Sequence, residues 1–493
     1  PVEAAGGVVT DDAGRPPLGL HDGRADDVDT ATLPFLRVLF VAMPHWSFPM
    51  PRGVMRIASG TGCAALGGSS RSGRGSRWGP MSVGANAVPF DDRMIPALQS
   101  RVMPDQPPAI ARHRLRRDDA FPRRAEALGF GFHSPDEREY WARDACYALT
   151  PEAIDALEGA AREVNGMIAA AVDRVVRRGD YSAFGFTDRL AALVEASHQA
   201  KEPSLYGRFD FRLAPDGTIK LFEFNAETPA ALLEAAVVQL AWFEETPAGP
   251  TTRPGRDQWN AIDDALVMRW PALGLPRLIH FAAEHERADE VAQVAYLMAT
   301  ARAAGHEAAF IPVEDISWQE EAGFVTPDGM PLGTCFKLYP WDWLDAEEGG
   351  RLLPLGGTRW IEPARRMLHA NKAILVELWS MFPNHPLLLP ASLDRAAIAG
   401  PAIGKPALGL EGHGMRVDGV ADDPSTEIAE GLPSSPTIWQ RWAPLPGHAT
   451  PQGDAFPVMG VWIVGDEPCG LGIREGEELV TTLEDRFVPH VVL

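Results

Sequence analysis

Between Tyr206 and Trp242, in YGRFDFRLAPDGTIKLFEFNAETPAALLEAAVVQLAW, four side chains capable of shared chemistry recur at strand spacing: Arg208, Asp210, Glu223 and Asn225. Asp216-Gly217 lies between two aromatic and aliphatic runs, which is a strong hairpin signal. With those two residues as the loop, Asp210 faces Glu223 and Arg208 faces Asn225. A four-residue loop shifts the partners but keeps all four on one face, because strand side chains alternate with period two. Two carboxylates and an amide at one place suit Mg²⁺, which takes few protein oxygens and keeps phosphate oxygens and water. Thr228-Pro229 then reads as the start of a helix over AALLEAAVVQLAW, whose free N–H groups would face the same spot and favour an anion. The competing reading is a solvated hairpin face with Arg208 in a surface ion pair.

The elements around this face are legible in part. Thr150-Pro151-Glu152 reads as N-cap and first turn of a helix through IDALEGAAREVNGMIAAAVDRVVRRG, stopped by Gly179. RLIHFAA (Arg277 to Ala283) reads as a buried strand, followed by a helix over Asp289 to Ala304 and a strand AAFIPV, one β-α-β unit. From Pro401 to Leu493, short strand-like pieces separated by Gly and Pro turns suggest an antiparallel sheet. The first hundred residues differ, with GGSSRSGRGSRWGP at Gly67 to Pro80, and residues 1–103 are expected to be a flexible or non-functional extension. The working part is then 104–493, with subdomains of roughly 104–400 and 401–493.

The 493 residues, 45% hydrophobic and 23% charged, are enough for two or three domains with large cores. A formal net charge of −22 argues against a nucleic-acid partner, because polyphosphate is repelled unless a basic patch is set apart. Four widely spaced cysteines, Cys63, Cys146, Cys335 and Cys469, form no CxxC pair and favour free thiols in a reducing compartment. Neither a membrane span nor a signal peptide is evident, so a cytoplasmic protein is expected.

YGRFDF, FEFNAETPAALLEAAVVQ, WIEPARRMLHANKAILVELWSMFPNHPLLLPA, GKPALGLEG, IWQRWAPLP and LGIRE…RFVPHVV occur in one order. In that order the chain resembles glutathionylspermidine synthase and its amidase-less relatives from about Asp118 to Leu493. The resemblance implies an ATP-grasp fold with a preceding pre-ATP-grasp substrate domain, mixed α/β and α+β. It implies an ATP-dependent carboxylate–amine ligase acting on a small peptide acid and an amine through an acyl phosphate. Asp210, Glu223 and Asn225 would hold Mg²⁺, and Arg208 and Arg474 would act on the transferring phosphoryl group. Lys405, Gln440 and Trp442 would bind ATP, and Thr228 would sit by the substrate carboxylate. Preplaced cations and metal neutralise the charge that builds on the phosphoryl oxygens.

The family carries Asp where Glu227 stands, Glu where Asp342 stands, Arg where Leu410 stands and Asn where Gly414 stands. An Asp-Asn pair is replaced by Thr482-Leu483. The intact Arg208, Asp210, Glu223, Asn225, Lys405 and Arg474 set favours the enzyme, while the changes at 410, 414 and 482–483 keep open an alternative, an ATP-binding pseudoenzyme or partner-binding protein that retains the fold. Neither the acid, the amine nor the oligomeric state follows from the sequence.

Overall fold

Thr150 and Gly179 set the first long helix as their chemistry dictates. The Thr150 hydroxyl accepts from the Ala153 N–H at 3.2 Å, Pro151 opens the helix Pro151–Arg178, and Gly179 ends it at φ 66°. Leu157, Ala161, Val164, Ile168, Val172 and Val175 recur every three or four residues and face the core. The computed structural model describes residues 108–135, 138–249, 251–409, 412–420, 435–482 and 485–493. The expectations for residues 1–103, Cys63, Leu410 and Leu483 lie outside the described residues. Cys146, Cys335 and Cys469 are free and buried.

The β-α-β reading holds closely. The strand Leu278–Ala283, the helix Ala288–Ala303 and the strand Glu307–Pro312 form a parallel unit in a four-stranded parallel sheet. Thr334–Lys337 and Arg359–Ile361 extend it on the other side of Leu278–Ala283. Its strands end beside the cleft described below, as open parallel sheets place their sites at carboxyl ends of strands.

The C-terminal strands form more than the one antiparallel sheet that the sequence suggests. Ala402–Pro406 lies between Arg416–Asp418 and Thr437–Arg441, with Ala391–Ser392 at the edge, in a four-stranded sheet. Gly453–Val464 and Glu467–Gly476 instead form a long hairpin that pairs with Tyr206–Leu213, extending the Tyr206–Leu213/Ile219–Asn225 hairpin into a six-stranded sheet. Gly460 stands opposite Asp210, and a Cβ there would come within 2.9 Å of Arg208 Cδ. Glycine at that place lets the Arg208 side chain lie flat along the sheet. A three-stranded sheet joins the ends of the described chain. In it Ala145–Leu149 pairs antiparallel with Ile110–Arg114 and parallel with His490–Val492.

Among the described residues no helix is long and apolar enough to cross a membrane.

Candidate active site

The hairpin register at the chemistry is the one that a two-residue loop predicts, reached by a different route. The loop is longer: Leu213 pairs with Ile219, and Ala214 and Gly217 make the turn bonds. A bulge at Phe222 then adds one residue to the second strand, so Asp210 faces Glu223 and Arg208 faces Asn225. Arg208, Asp210, Glu223 and Asn225 therefore share a face, as the alternation argument requires.

That face forms one wall of a cleft of about 1020 Å³. The four-stranded antiparallel sheet forms the facing wall, and the ends of the parallel-sheet strands close the far side. All nine residues singled out in the sequence line this cleft: Arg208, Asp210, Glu223, Asn225, Thr228, Lys405, Gln440, Trp442 and Arg474. The two walls are tied at the bulge. Lys405 Nζ donates to the Phe222 carbonyl at 3.1 Å, and Gln440 Nε2 donates to the Leu221 carbonyl at 3.2 Å. Ile403, Met415, Trp442 and Leu445 give the Gln440 end an apolar lining, which suits a flat heteroaromatic ring.

Arg208 and Asp210, 8% and 9% exposed, form a bidentate pair at 2.7 and 2.9 Å. Arg208 Nη1 also donates to the Ala230 carbonyl at 2.5 Å, and Asn225 Nδ2 donates to Asp210 at 3.0 Å. Glu223 Oε2 is buried with no hydrogen-bond partner, and Lys372 Nζ stands 3.7 Å from it. Burial would raise the Glu223 carboxyl, but Lys372, Lys405 and Arg208 outweigh it and hold it below its ordinary value. Two adjacent carboxylates would repel each other in the metal-free site, but these three cations compensate them. Burial pushes the Lys405 ammonium down to about 8 despite the neighbouring Glu223.

The helix after the hairpin begins later than expected. Helical backbone starts at Leu232, because Ala231 adopts φ 68°. Its first N–H is taken by Gln293 Oε1 at 3.2 Å, so Thr228 lines the cleft from an irregular turn and is not a helix cap. Glu234 opens a π-helical turn, Glu234–Val238, of the kind frequent at functional sites. Tyr140 donates to Glu234 at 2.6 Å, and burial pushes the Glu234 carboxyl up to about 7.

Sequence reasoning missed Lys372, Glu234 and Tyr140. Lys372 lies within the quoted ANKAIL segment, but nothing in the local pattern aims its ammonium at Glu223. Glu234 sits at a helical position that reads as an exposed face until Tyr140, 94 residues away, is placed against it. Of the departures, Glu227 accepts from the Trp341 N–H and lies 3.4 Å from Lys337 Nζ, with Asp342 in the same group of charges. Gly414 has φ 70°, and the Thr482 carbonyl accepts from Arg474 Nη2 at 2.5 Å. Among the described residues no three His, Cys, Asp or Glu side chains converge as a metal site. The Asp210–Glu223–Asn225 set has two carboxylates and an amide.

A cleft between two antiparallel sheets, with a lysine from one wall and carboxylates from the other, defines an ATP-grasp fold. The four-stranded parallel sheet and its helix stand beside this cleft. The family model described as glutathionylspermidine synthase preATP-grasp matches residues 112–493, and the chain belongs to that family. A putative acid–amine ligase of Haemophilus influenzae is 34% identical over 76% of this chain and 99% of its own length. A trypanothione synthetase of Crithidia fasciculata is 26% identical over 62% of this chain, and a bifunctional glutathionylspermidine synthetase/amidase of Escherichia coli 24% over 70%. The chain spans 50% and 59% of the lengths of these two. It is a ligase that forms carbon–nitrogen bonds.

Proposed function

We propose that the protein joins a small peptide acid to an amine through an acyl phosphate, with ATP and Mg²⁺. The observation that carries the reading is the convergence of Lys405, Arg474, Arg208 and the Asp210–Glu223–Asn225 face on one cleft. The orphaned Glu223 Oε2, the Asp210 carboxylate and the Asn225 amide fit Mg²⁺ in type and number. Bound there, the ion would supply charge neutralisation at the nucleotide phosphates. Gln440, Trp442 and the apolar end of the cleft would hold the base, and Lys405 would hold phosphate oxygens. Arg208 would turn from Asp210 toward the phosphoryl group in transfer, with Arg474 beside it. Thr228 would orient the acid. Two relatives are synthetases of trypanothione and glutathionylspermidine, which supports a glutathione-like acid.

The test is product release with a panel of glutathione-like peptides and amines. ADP and phosphate should form only when ATP, Mg²⁺, an acid and an amine are all present. Hydroxylamine in place of the amine should give the hydroxamate. Release of AMP would overturn the acyl phosphate, and ATP binding without turnover on any pair would favour the pseudoenzyme reading.

A further inference from the structure

A second pocket, of about 320 Å³, lies between the strand Ile110–Arg114 and residues 248–249 and 252–256, and shares no lining residue with the ligase cleft. Its polar lining is His113, Arg114, Thr252, Arg253 and Arg256, and no carboxylate is among its described lining residues. On a chain of net charge −22 that is unusual. Elsewhere on the surface, arginines meet acids: Arg117 pairs with Asp119 and Glu139, Arg124 with Asp118 and Glu245, Arg178 with Glu377. Among the described residues Arg114, Arg253 and Arg256 have no such pair.

Arg253 is held in place in advance. Its Nε donates to the Phe243 carbonyl at 3.1 Å and to the Thr246 carbonyl, and its Nη1 donates to the Gly255 carbonyl at 2.5 Å. Its guanidinium lies 3.8 Å from the Phe243 ring centroid. These contacts fix the plane of the group without neutralising it and leave Nη2 without a partner among the described residues. A fixed guanidinium loses little freedom on binding, and its Nη2 is left to donate to an oxyanion. Arg114 and Arg256 reach the same pocket from either side as exposed cations. The volume lies at the small end of ligand sites, enough for a compact polyanion.

We propose that this pocket binds a small oxyanion carrying two or more negative charges, a polyphosphate or a polycarboxylate, at a site separate from the ligase cleft. Arg253 is the anchoring cation, and Arg114 and Arg256 supply the remaining charge. The strand has a route to the cleft, since Arg112 is bonded to Glu475, the residue after Arg474.

Titration calorimetry of the full chain at fixed ionic strength, without Mg²⁺, tests this with inorganic pyrophosphate in one arm and citrate in the other. The parent should show a saturable event with at least one of them. That event should persist in Lys405→Ala, which removes a cation of the ligase cleft, and weaken at least tenfold in Arg114→Ala/Arg256→Ala. These two side chains are exposed, so the double variant should keep the parent melting temperature. Pyrophosphate binding alone would assign a phosphate site, and citrate binding alone a carboxylate site. The proposal is overturned if neither anion saturates, if binding is lost in Lys405→Ala alone, or if the double variant binds like the parent.

Discussion

At the Glu223 carboxylate, burial and neighbouring charge act in opposite directions, and the charges win. Its carboxyl lies below its ordinary value because Lys372, Lys405 and Arg208 converge on it. Glu223→Gln keeps the shape and removes the charge that these cations face, so it should lower stability by about 1–3 kcal/mol. It should also cut turnover by about a hundredfold and raise the magnesium requirement, on the scale of losing one preorganised charge contact. ADP release against magnesium concentration, run for Glu223→Gln and Asp210→Asn beside melting curves, checks both parts. Parent-like magnesium dependence in both variants would remove the metal assignment. Lys405 gives a pH signature. With its ammonium lowered to about 8 by burial, the free protein loses that charge as pH rises past 8. ATP affinity should therefore fall by roughly tenfold between pH 7 and pH 9.5, since bound phosphate favours the charged form. The stability sign is opposite: a depressed lysine binds fewer protons folded than unfolded, so folding gains as pH rises from about 8 toward the ordinary 10.5. Nucleotide titrations across that range should be steep for the parent and flat for Lys405→Arg.

At the scale of elements, the sequence makes the site hairpin legible because period-two alternation survives most local errors. The loop is longer than Asp216-Gly217 alone, and the Phe222 bulge restores the pairing of Asp210 with Glu223. Neither feature has a local signal, and they cancel. The long helix Pro151–Arg178 and the β-α-β unit were readable to within a residue or two at their ends, since their caps and periodicity are local. The late start of the helix at Leu232 was not readable, because it depends on Ala231 in a left-handed conformation and on Gln293 from a distant helix. Lys372 was missed for the same reason: its role depends on a contact across 149 positions of sequence. The two charge-conserving departures become intelligible only together. Glu227 and Asp342 both face Lys337, which is 1% exposed, so a methylene absent from one side of the cluster is present on the other. Burial pushes Glu227 up and Lys337 down, leaving little tolerance for a loosened pair. Glu227→Asp alone should cost about 1–3 kcal/mol by withdrawing the acceptor from the Trp341 N–H and Lys337. Asp342→Glu alone should overpack the site. The double variant should recover most of the loss, with a coupling of about 1 kcal/mol or more in urea unfolding. Strict additivity would mean that the two positions are independent.

For the whole molecule, the question is what holds the strand of Arg474 to the sheet that joins the ends of the described chain. One carboxylate does much of this. Glu475, 1% exposed, accepts from Arg112 at 2.9 and 2.8 Å, from Tyr147 at 2.7 Å and from Arg486 at 3.0 Å. Arg112 and Tyr147 belong to neighbouring strands of the three-stranded sheet. Arg486 belongs to the edge strand of the six-stranded sheet, so the group spans both. Burial alone would raise the Glu475 carboxyl, but the Arg112 hydrogen bonds and charge, with Arg486 and Tyr147, hold it below its ordinary 4.5. The folded state therefore binds this proton less readily than the unfolded chain. Its contribution is complete above pH 4.5 and is lost as pH falls through the depressed value. Glu475→Gln leaves Arg112 and Arg486 facing a neutral amide, and removing one partner of a buried ion pair costs about 3–5 kcal/mol. The variant should unfold at clearly lower urea than the parent at pH 7, and the gap should narrow at pH 3.5, below the ordinary 4.5, where the unfolded parent takes up the proton that the folded one resists. Because Arg474 adjoins this group in the strand, the surviving folded fraction should also show a raised KM for ATP. A gap that stayed the same from pH 7 to pH 3.5 would show that the shape of Glu475, and not its charge, joins the two sheets.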